Sequence, residues 1–277
     1  MRDDFAVFIL THGRAKQQKT LKAMKKCGYT GRLYLVVDDE DEQLEEYLHL
    51  YGRKVITFSK REIECCFDTM TNKKEYGAVV YARNASYEIA NRLGVRWIFV
   101  CDDDISNISF RILRNNKLER LDIHEIDRLF ERMCEIADAG NLCVFGFSQA
   151  GIYIGGANKL YLSGHQRKVS QAMLLDVKNP IEFRGIFYED LIAALDAGAA
   201  GRVAISTTLV SVQSPEMTTN AGGMCDAYSK SSAYIHCFYT VMAHPSVVSI
   251  VMNGGTFKLK FLYSAYAPMI ISERWRK

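Results

Sequence analysis

Residues 96–104, RWIFVCDDD, join an apolar run to three consecutive carboxylates. The run from Trp97 to Cys101 has the length and the β-branched and aromatic composition of a fully buried strand. Three adjacent acids repel one another and need compensation at the edge of a core, and Mg²⁺ or Mn²⁺ takes such oxygens as ligands. The stretch therefore predicts a central strand that ends in a metal or nucleotide site. The alternative is a solvated turn whose acids cap a following helix.

Length and composition limit the class of protein. The chain has 277 residues, of which 48% are hydrophobic, and this is enough for one large domain with a substantial core. A net charge of +3 does not by itself indicate a nucleic-acid partner. Eight cysteines include no C-x-x-C pair, which argues against a zinc site. With no signal peptide and no membrane-spanning apolar run, we expect a reduced, cytoplasmic protein without membrane association.

The chain opens with a strand, a polar turn and a helix. Residues 5–10 (FAVFIL) predict a buried strand, and residues 16–27 predict a helix that ends before Gly28. Residues 33–37 (LYLVV) predict a second strand, which runs into Asp38 and Asp39. The turn after the first strand consists of four residues, Thr11, His12, Gly13 and Arg14.

Two predicted strands thus end in acids, one at Asp38 and one at Asp102. In a parallel sheet these ends lie on the same edge, where open α/β sheets bind ligands. An acid after the second strand can accept hydrogen bonds from a base or a ribose. We therefore expect the two sets of acids to form one site.

The later elements alternate between strands and helices, which is typical of an α/β fold. The patterns predict strands over 54–58, 143–147, 171–176 and 201–212 and helices over 42–50, 76–93, 121–138 and 191–197. Residues 59–74 are expected to form a loop over the site, and residues 105–117 a strand or hairpin.

Two polar pairs on the predicted helices have both a structural and a functional interpretation. Arg83 and Asn84 lie in the first half of helix 76–93, where the arginine is either solvated or a cation for a bound diphosphate. Glu189 and Asp190 open helix 191–197, where they either cap the helix or supply a general base for an acceptor hydroxyl.

The last fifty residues are rich in aromatic and basic side chains. A helix over 228–243 and a half-buried strand over 257–263 are predicted there. Ordinary amphipathic packing is favoured, and the alternative is a surface for a polynucleotide.

The order of these parts resembles a GT-A glycosyltransferase, and most closely the TET-associated glycosyltransferase family of phages, which is related to the base J glucosyltransferase. The resemblance spans roughly residues 5–225, and residues 226–277 match nothing. The matching segments are 11–14 (THGR), 18–21 (QKTL), 37–43 (VDDEDEQ), 81–84 (YARN), 99–104 (FVCDDD) and 189–190 (ED).

The resemblance implies a GT-A type, Rossmann-like α/β fold with a central mixed, mostly parallel sheet flanked by helices. It divides a glycosyltransferase domain, residues 1–225, into a nucleotide-sugar half, about 1–105, and an acceptor half, about 106–225. Residues 226–277 are expected to form an extension packed on the same domain.

The resemblance also implies metal-dependent transfer of a sugar from a UDP-sugar to a hydroxymethylated pyrimidine in DNA, in the host cytoplasm if a phage encodes the chain. Asp102 and Asp104 are expected to hold Mn²⁺ or Mg²⁺, with Asp102 alternatively on the ribose. Asp190 is the expected general base of an inverting attack, with Glu189 as the second choice. The residues expected to contact the donor are Thr11, His12, Gly13, Arg14, Asp38, Asp39, Arg83, Asn84, Asp102 and Asp103.

Several alternatives stay open at this stage. The acceptor is otherwise a glycan, lipid or protein, or the domain binds nucleic acid or a partner without turnover. His236 and His244 are the candidates for a third metal ligand after Asp190. Neither the stereochemistry of transfer nor the oligomeric state is indicated.

Overall fold

In the computed structural model, which describes residues 1–72, 79–215 and 232–262, four parallel strands form the first half of a large sheet. They are β1 (Phe5–Leu10), β2 (Arg32–Asp38), β3 (Val55–Phe58) and β4 (Trp97–Asp102), in the order β3-β2-β1-β4. Because β1 pairs in parallel with both β2 and β4, the acids that follow β2 and β4 lie on one edge of the sheet. The prediction that the two acidic strand ends come together is confirmed.

The second half of the sheet brings in antiparallel neighbours, and the order continues from β4 as β9-β7-β10-β5-β6. The strands are β5 (Asn107–Arg114), β6 (Lys117–Asp122), β7 (Leu142–Gln149), β8 (His165–Gln166), β9 (Ala172–Asp176) and β10 (Val203–Gln213). Strand β9 runs antiparallel to both β4 and β7, whereas β10 is parallel to β7. The expected mixed sheet is confirmed, with its parallel character in the first half and at the β7–β10 pair.

Helices cover both faces of this sheet. They are α1 (Lys19–Lys26), α2 (Leu44–Tyr51), α3 (Lys60–Glu64), α4 (Val79–Leu93), α5 (Ile126–Gly140), α6 (Lys159–Leu162), α7 (Glu189–Ala199) and α8 (Ala233–Ala243), with 3₁₀ turns at Gly52–Lys54 and Ala150–Tyr153. Among the helices that the structure describes, none is long and apolar enough to cross a membrane.

Two predictions of local structure are corrected. The segment predicted as a loop over 59–74 contains α3, and the helix predicted from residue 121 begins at Ile126. The second difference arises from Asn115 and Asn116, whose φ angles of 50° and 60° form a two-residue turn of the primed type. That turn pairs Arg114 with Lys117 and draws the following residues into β6.

The core has two layers because alternate side chains of the central strands point to opposite faces. Phe5, Val7 and Ile9 of β1 pack on the side of α5, whereas Ala6, Phe8 and Leu10 pack on the side of α4. On the α5 side, the ring of Phe130 lies 4.6 Å from that of Phe99 and 5.1 Å from that of Phe5. Burial on both faces explains why the sequences of β1 and β4 are uninterrupted apolar runs up to Asp102.

The described part of the C-terminal segment consists of α8 and a separate hairpin, β11 (Val248–Asn253) with β12 (Thr256–Phe261). His236 of α8 stacks on Phe187 with ring centroids 4.5 Å apart, and Leu195 of α7 packs against Val247 and Val248. The strand expected over 257–263 forms, but it is mostly exposed rather than half-buried. Residues 228–231 and 263–277 lie outside the described part, so the predictions made there stay predictions.

A partly exposed ion cluster fastens α8 to α7. Asp196 accepts hydrogen bonds from Arg184 at 2.7 and 2.9 Å, and the Nε2 atom of the buried His244 lies 2.9 Å from Oδ1, the oxygen that also accepts the longer Arg184 bond. Burial alone would raise the pKa of Asp196, but the hydrogen bonds from Arg184 and His244 lower this pKa to about 2.

The first prediction concerns two glycines that end helices with similar backbone angles. Gly28 has a φ of 76°, and a Cβ atom built there lies 2.2 Å from the carbonyl oxygen of His124. Gly94 has a φ of 65° and open space around it. We expect Gly94→Ala to cost about 1–2 kcal/mol for the left-handed conformation. Gly28→Ala should cost about 1–3 kcal/mol more, because backbone must move.

Urea denaturation of the two variants checks this. Equal losses of unfolding free energy would show that the contact between the new Cβ atom at position 28 and the His124 carbonyl does not destabilise the fold.

The second prediction uses the low pKa of Asp196. Because the folded-state pKa lies below the unfolded value, the stabilisation is present above about pH 4 and is lost as the pH falls toward 2. Asp196→Asn should therefore lower the melting temperature at pH 7 and flatten its fall between pH 4 and pH 2. Asp138→Asn, which removes an exposed carboxylate bound to Arg96, is the control. Parallel slopes for Asp196→Asn and wild type would contradict the assignment.

Candidate active site

The three acids after β4 point in different directions. Asp103 is buried and turns toward β1, where it accepts hydrogen bonds from Thr11 Oγ1 at 2.6 Å and from Arg14 Nη1 at 2.8 Å. Asp102 and Asp104 are partly exposed. Thr20, at the start of α1, donates its hydroxyl to the carbonyl of Asp102 and its amide to that of Asp103. The turn after β1 and the acidic turn after β4 are therefore one hydrogen-bonded unit.

The turn of residues 11–14 is held by polar groups that the sequence interpretation missed. The Tyr47 hydroxyl lies 2.7 Å from Thr11 Oγ1 and accepts the Arg14 amide at 2.8 Å. The Gly13 amide donates to Asp41 at 2.7 Å, and Gly13 has a φ of 66° with nothing near its missing Cβ. Tyr47 looked like an ordinary apolar position of α2, so no local signal marked it.

At the end of β2, Asp38 stands at the centre of a compact network. Its carboxylate lies 2.6 Å from His12 Nδ1 and 3.0 Å from Lys60 Nζ. Burial raises the pKa of Asp38, but His12 and Lys60 outweigh it and bring the pKa below its usual range. Asp41 lies 3.3 Å from His12 Nδ1, and Asp39, which is exposed, faces the amide of Lys60 at 3.4 Å. The network keeps the Asp38 carboxylate ionised and able to accept hydrogen bonds.

His12, Asp38 and Asp41 also bring three potential ligand atoms within 4.8 Å of one another. Lys60 already neutralises Asp38, and its ammonium group would be displaced by a cation bound there. We therefore assign this group to hydrogen bonding, although its atoms are close enough to hold a metal.

Arg83 is the buried cation of the site. Only 2% of its surface is exposed, and its guanidinium lies 2.9 Å from Glu189 and 3.5 Å from Asp102. The guanidinium also lies 5.6 Å from the centre of the Phe183 ring. The alternative of a solvated arginine is wrong. Arg83 connects the end of β4 in the first half of the chain to the start of α7 in the second.

The two carboxyl groups beside Arg83 have raised pKa values. Burial raises the pKa of Asp102 and of Glu189, Arg83 opposes the rise, and neighbouring acids add to it. Arg83 therefore offsets only part of the rise that burial and the neighbouring acids produce.

Glu189 and Asp190 begin α7, as predicted, but their surroundings differ. The preceding residue, Tyr188, has a φ of 55°, an uncommon conformation for a non-glycine residue that turns the chain sharply into the helix. Glu189 is buried on Arg83, whereas Asp190 is partly exposed and accepts the amide of Leu191 at 2.8 Å. Asp190 is therefore the more accessible carboxylate of the pair.

The position of Asn84 differs from that of the other predicted donor residues. Its amide nitrogen donates to the carbonyls of Val80 and Phe183, and its oxygen accepts the amide of Phe183 at 3.1 Å. These bonds fasten α4 to the segment that leads into α7. The predicted contact of Asn84 with the donor stays a prediction.

The residues after β4 fit a divalent cation. Mg²⁺ typically uses one or two carboxylates together with substrate phosphates, and Asp102 and Asp104 offer two carboxylates at a strand end. Burial is the main cause that raises the pKa of Asp102, and the neighbouring acids add to it, so a cation bound here would favour the ionised carboxylate. Of the two histidines considered as a further ligand, His236 packs on Phe187 and His244 is paired with Asp196.

Comparison with known families decides the assignment. Residues 5–223 match the family model described as TET-associated glycosyltransferase. The chain belongs to this glycosyltransferase family. The match includes every segment on which the resemblance was based, from the turn at residues 11–14 to Glu189 and Asp190. No curated protein matches the chain.

Solved structures support the fold of this family member. S. aureus TarS 1-349 in complex with UDP-GlcNAc aligns with a TM-score of 0.51 and 13% identity, over 87% of this chain and 66% of that one. Glucosyl-3-phosphoglycerate synthase from Mycobacterium tuberculosis, in complex with Mg²⁺ and UDP, aligns with a TM-score of 0.49 and 9% identity, over 93% of this chain and 86% of that one. The chain thus spans about two thirds of the TarS chain. The TarS alignment confirms the predicted GT-A fold.

The third prediction concerns the ion pairs of Arg83 with Glu189 and Asp102. Replacing Arg83 with Met leaves the buried Glu189 without its cation and beside the partly exposed Asp102, and removing one partner of a buried pair costs about 3–5 kcal/mol. Arg92→Met, on the exposed face of α4 near Glu88, is the matched control and should cost less than about 1 kcal/mol. Chemical denaturation at pH 7.5 measures both.

The pH dependence of this loss identifies its cause. Without Arg83 the folded-state pKa values of both carboxyls rise further, so stability relative to wild type is retained at low pH and lost as the pH rises. The cost of Arg83→Met should therefore be smaller at pH 5 than at pH 8. A cost independent of pH would indicate lost packing rather than uncompensated charge.

Proposed function

We propose that this protein is a metal-dependent glycosyltransferase that moves a sugar from a UDP-sugar to the hydroxyl of a 5-hydroxymethylpyrimidine in DNA. The observation that carries the proposal is the bridge made by Arg83. It joins the acids at the carboxyl end of β4, where an α/β sheet binds nucleotides, to the carboxylates that begin α7. Family membership supports the transferase activity and the type of acceptor.

On this proposal the nucleoside binds beside β1 and β2. Asp38 and Asp39 accept hydrogen bonds from the uracil or the ribose, and His12 orients Asp38 by its short contact. Gly13 leaves room for the ligand to approach the backbone, since no atom lies within 4 Å of its missing side chain. Thr11 and Arg14 line the same turn and hold Asp103, which therefore supports the site from behind.

The diphosphate binds in front of β4. Asp102 and Asp104 would hold Mn²⁺ or Mg²⁺ on it, and the ion, when bound, stabilises the departing nucleotide as a Lewis acid. Arg83 lies behind Asp102 and is buried on Glu189, so it acts on the donor through these carboxylates rather than as a surface cation.

Asp190 is the proposed general base. It takes the proton from the acceptor hydroxyl while the oxygen bonds to the anomeric carbon of the sugar and the bond from that carbon to the UDP oxygen breaks. This is an inverting displacement. Glu189, paired with Arg83, positions the start of α7. A DNA acceptor places the enzyme in the cytoplasm, and for a phage protein in that of the host.

The fourth prediction tests the proposed reaction. The protein is incubated with a panel of UDP-sugars, Mn²⁺ and DNA containing hydroxymethylcytosine, hydroxymethyluracil or unmodified bases, and mass spectrometry of the nucleosides reports sugar addition. We expect one hydroxymethylated DNA to gain a hexose. Asp190→Asn should lower the rate by about 10²–10⁴-fold, the range for loss of a general base. Asp104→Ala should lose the activity that added metal supports, whereas Glu88→Gln, an exposed acid of α4, should behave as wild type.

Three outcomes would contradict parts of this proposal. Hydrolysis of a UDP-sugar without modification of any DNA would contradict a DNA acceptor and favour a glycan, lipid or protein acceptor. Full activity of Asp104→Ala would refute the metal site. If calorimetry shows that no nucleotide-sugar binds, the transferase function itself falls.

A further inference from the structure

A groove of about 660 Å³ lies away from the strand-end acids, between the β5–β6 hairpin and the segment that leads into α6. The hairpin wall presents Arg111, Asn116 and Lys117, and the opposite wall presents Tyr153 with Gly155 and Gly156. Among the residues that the structure describes, those lining the groove include two cations and no acid. Its chemistry therefore favours an anionic occupant.

Arg111 lines the groove, and Arg120 lies opposite it on the same face of the hairpin, beside the groove. Register pairs Arg111 with Arg120, and cross-strand partners share one face, so two like charges are adjacent. Each is bound by a neutral group of β10. Arg111 Nε donates to Ser211 Oγ at 2.8 Å, and Arg120 Nη1 donates to Gln213 Oε1 at 2.7 Å.

Carboxylates of the same hairpin are occupied elsewhere. Asp122 shares the groove face but pairs with Lys26 at 3.2 Å. Glu119 lies on the other face and pairs with Arg114 at 3.6 Å. The hairpin carboxylates therefore do not neutralise the charges of Arg111 and Arg120.

Arg111 is also held in a fixed orientation. Its guanidinium lies 4.5 Å from the centre of the Tyr153 ring, and the Tyr153 hydroxyl donates to the carbonyl of Thr208 at 2.9 Å. Burial and the charge of Arg120 lower the pKa of Arg111. A half-buried cation that is stacked, oriented and next to a like charge is stabilised when an anion binds between the two groups.

One residue links this face to the acidic turn. Ser106, two positions after Asp104, donates its amide to the carbonyl of Gln213 at 2.8 Å. The side chain of Gln213 accepts the hydrogen bond from Arg120. The face that carries Arg111 and Arg120 is therefore connected by hydrogen bonds to the turn that holds the proposed metal ligands. It lies on the second half of the sheet, after the strands of the proposed donor site.

We propose that this groove binds the sugar–phosphate backbone of a nucleic-acid acceptor, with Arg111 and Arg120 contacting phosphate oxygens. The inference rests on the proposed function and adds where the acceptor strand lies. A phosphodiester chain fits because it supplies repeated anions between apolar sugar and base faces. Leu113 and Leu162, which are 39% and 65% exposed, give such faces a surface beside the cations. Tyr153 is a positioning residue, since it acts through Arg111.

The fifth prediction separates this surface from general surface charge. Binding of a fluorescent 20-nucleotide hydroxymethylated DNA is measured by anisotropy, without a donor, at several salt concentrations. Arg120→Gln and Arg111→Gln should each weaken binding about tenfold, and each should reduce the slope of log affinity against log salt by about one. Arg114→Gln removes the same charge from the other face of the hairpin, where Glu119 neutralises it, and should bind as wild type.

Thermal melting accompanies each variant, and Arg120, which is exposed, is the replacement least able to disturb the fold. If Arg114→Gln weakens binding as much as Arg120→Gln, the groove has no special role and the inference falls. If wild type glycosylates DNA but the groove variants bind DNA normally, the inference fails while the proposed function stands. If wild type binds a UDP-sugar but no DNA, and binds vesicles containing phosphatidylglycerol through Arg120, both the DNA acceptor and this inference fall.

Discussion

The guanidinium of Arg83 is the interaction on which the site depends. A partly exposed carboxylate from the end of β4 and a buried one from the start of α7 meet at this guanidinium, at the edge of the sheet. Without a cation between them they would repel each other, and the start of α7 would have to move away from β4. Because Arg83 comes from the middle of α4, it is anchored by a full helix in the core. One buried charge thus fixes the distance between the donor half and the residues proposed for base catalysis.

The acidic turn after β4 divides its work among three neighbouring residues. Asp103 turns inward and accepts hydrogen bonds from Thr11 and Arg14, which connect the turn to the first strand. Its neighbours Asp102 and Asp104 remain partly exposed at the same edge. The repulsion among three adjacent acids is therefore relieved by separating them in space. The inward acid gives the turn a rigid base, and the other two carboxylates are the pair that we propose as cation ligands.

The mixed order of the sheet separates the two tasks of a transferase. Strand β4 closes the parallel half, where the nucleotide is expected, and antiparallel β9 lies between it and the β7–β10 pair. From β10, hydrogen bonds lead through Gln213 back to the acidic turn and onward to the arginines of the hairpin. The proposed donor and acceptor surfaces thus lie on different strands but share one turn.

Local sequence determined the strand–turn–helix units, because buried strands need long apolar runs and because acids at strand ends stand out against them. Tertiary structure alone decided what each polar group contacts. Nothing near Arg83 in sequence announces Glu189, more than a hundred positions away, and Tyr47 and Lys60 joined the site only through the packing of α2 and α3. The sequence predicted a strand or hairpin over 105–117, but the helical spacing from residue 121 onward concealed strand β6, which follows the turn at Asn115 and Asn116. Periodicity reports which side of an element faces the core, whereas the pairing of charges depends on which elements the fold brings together.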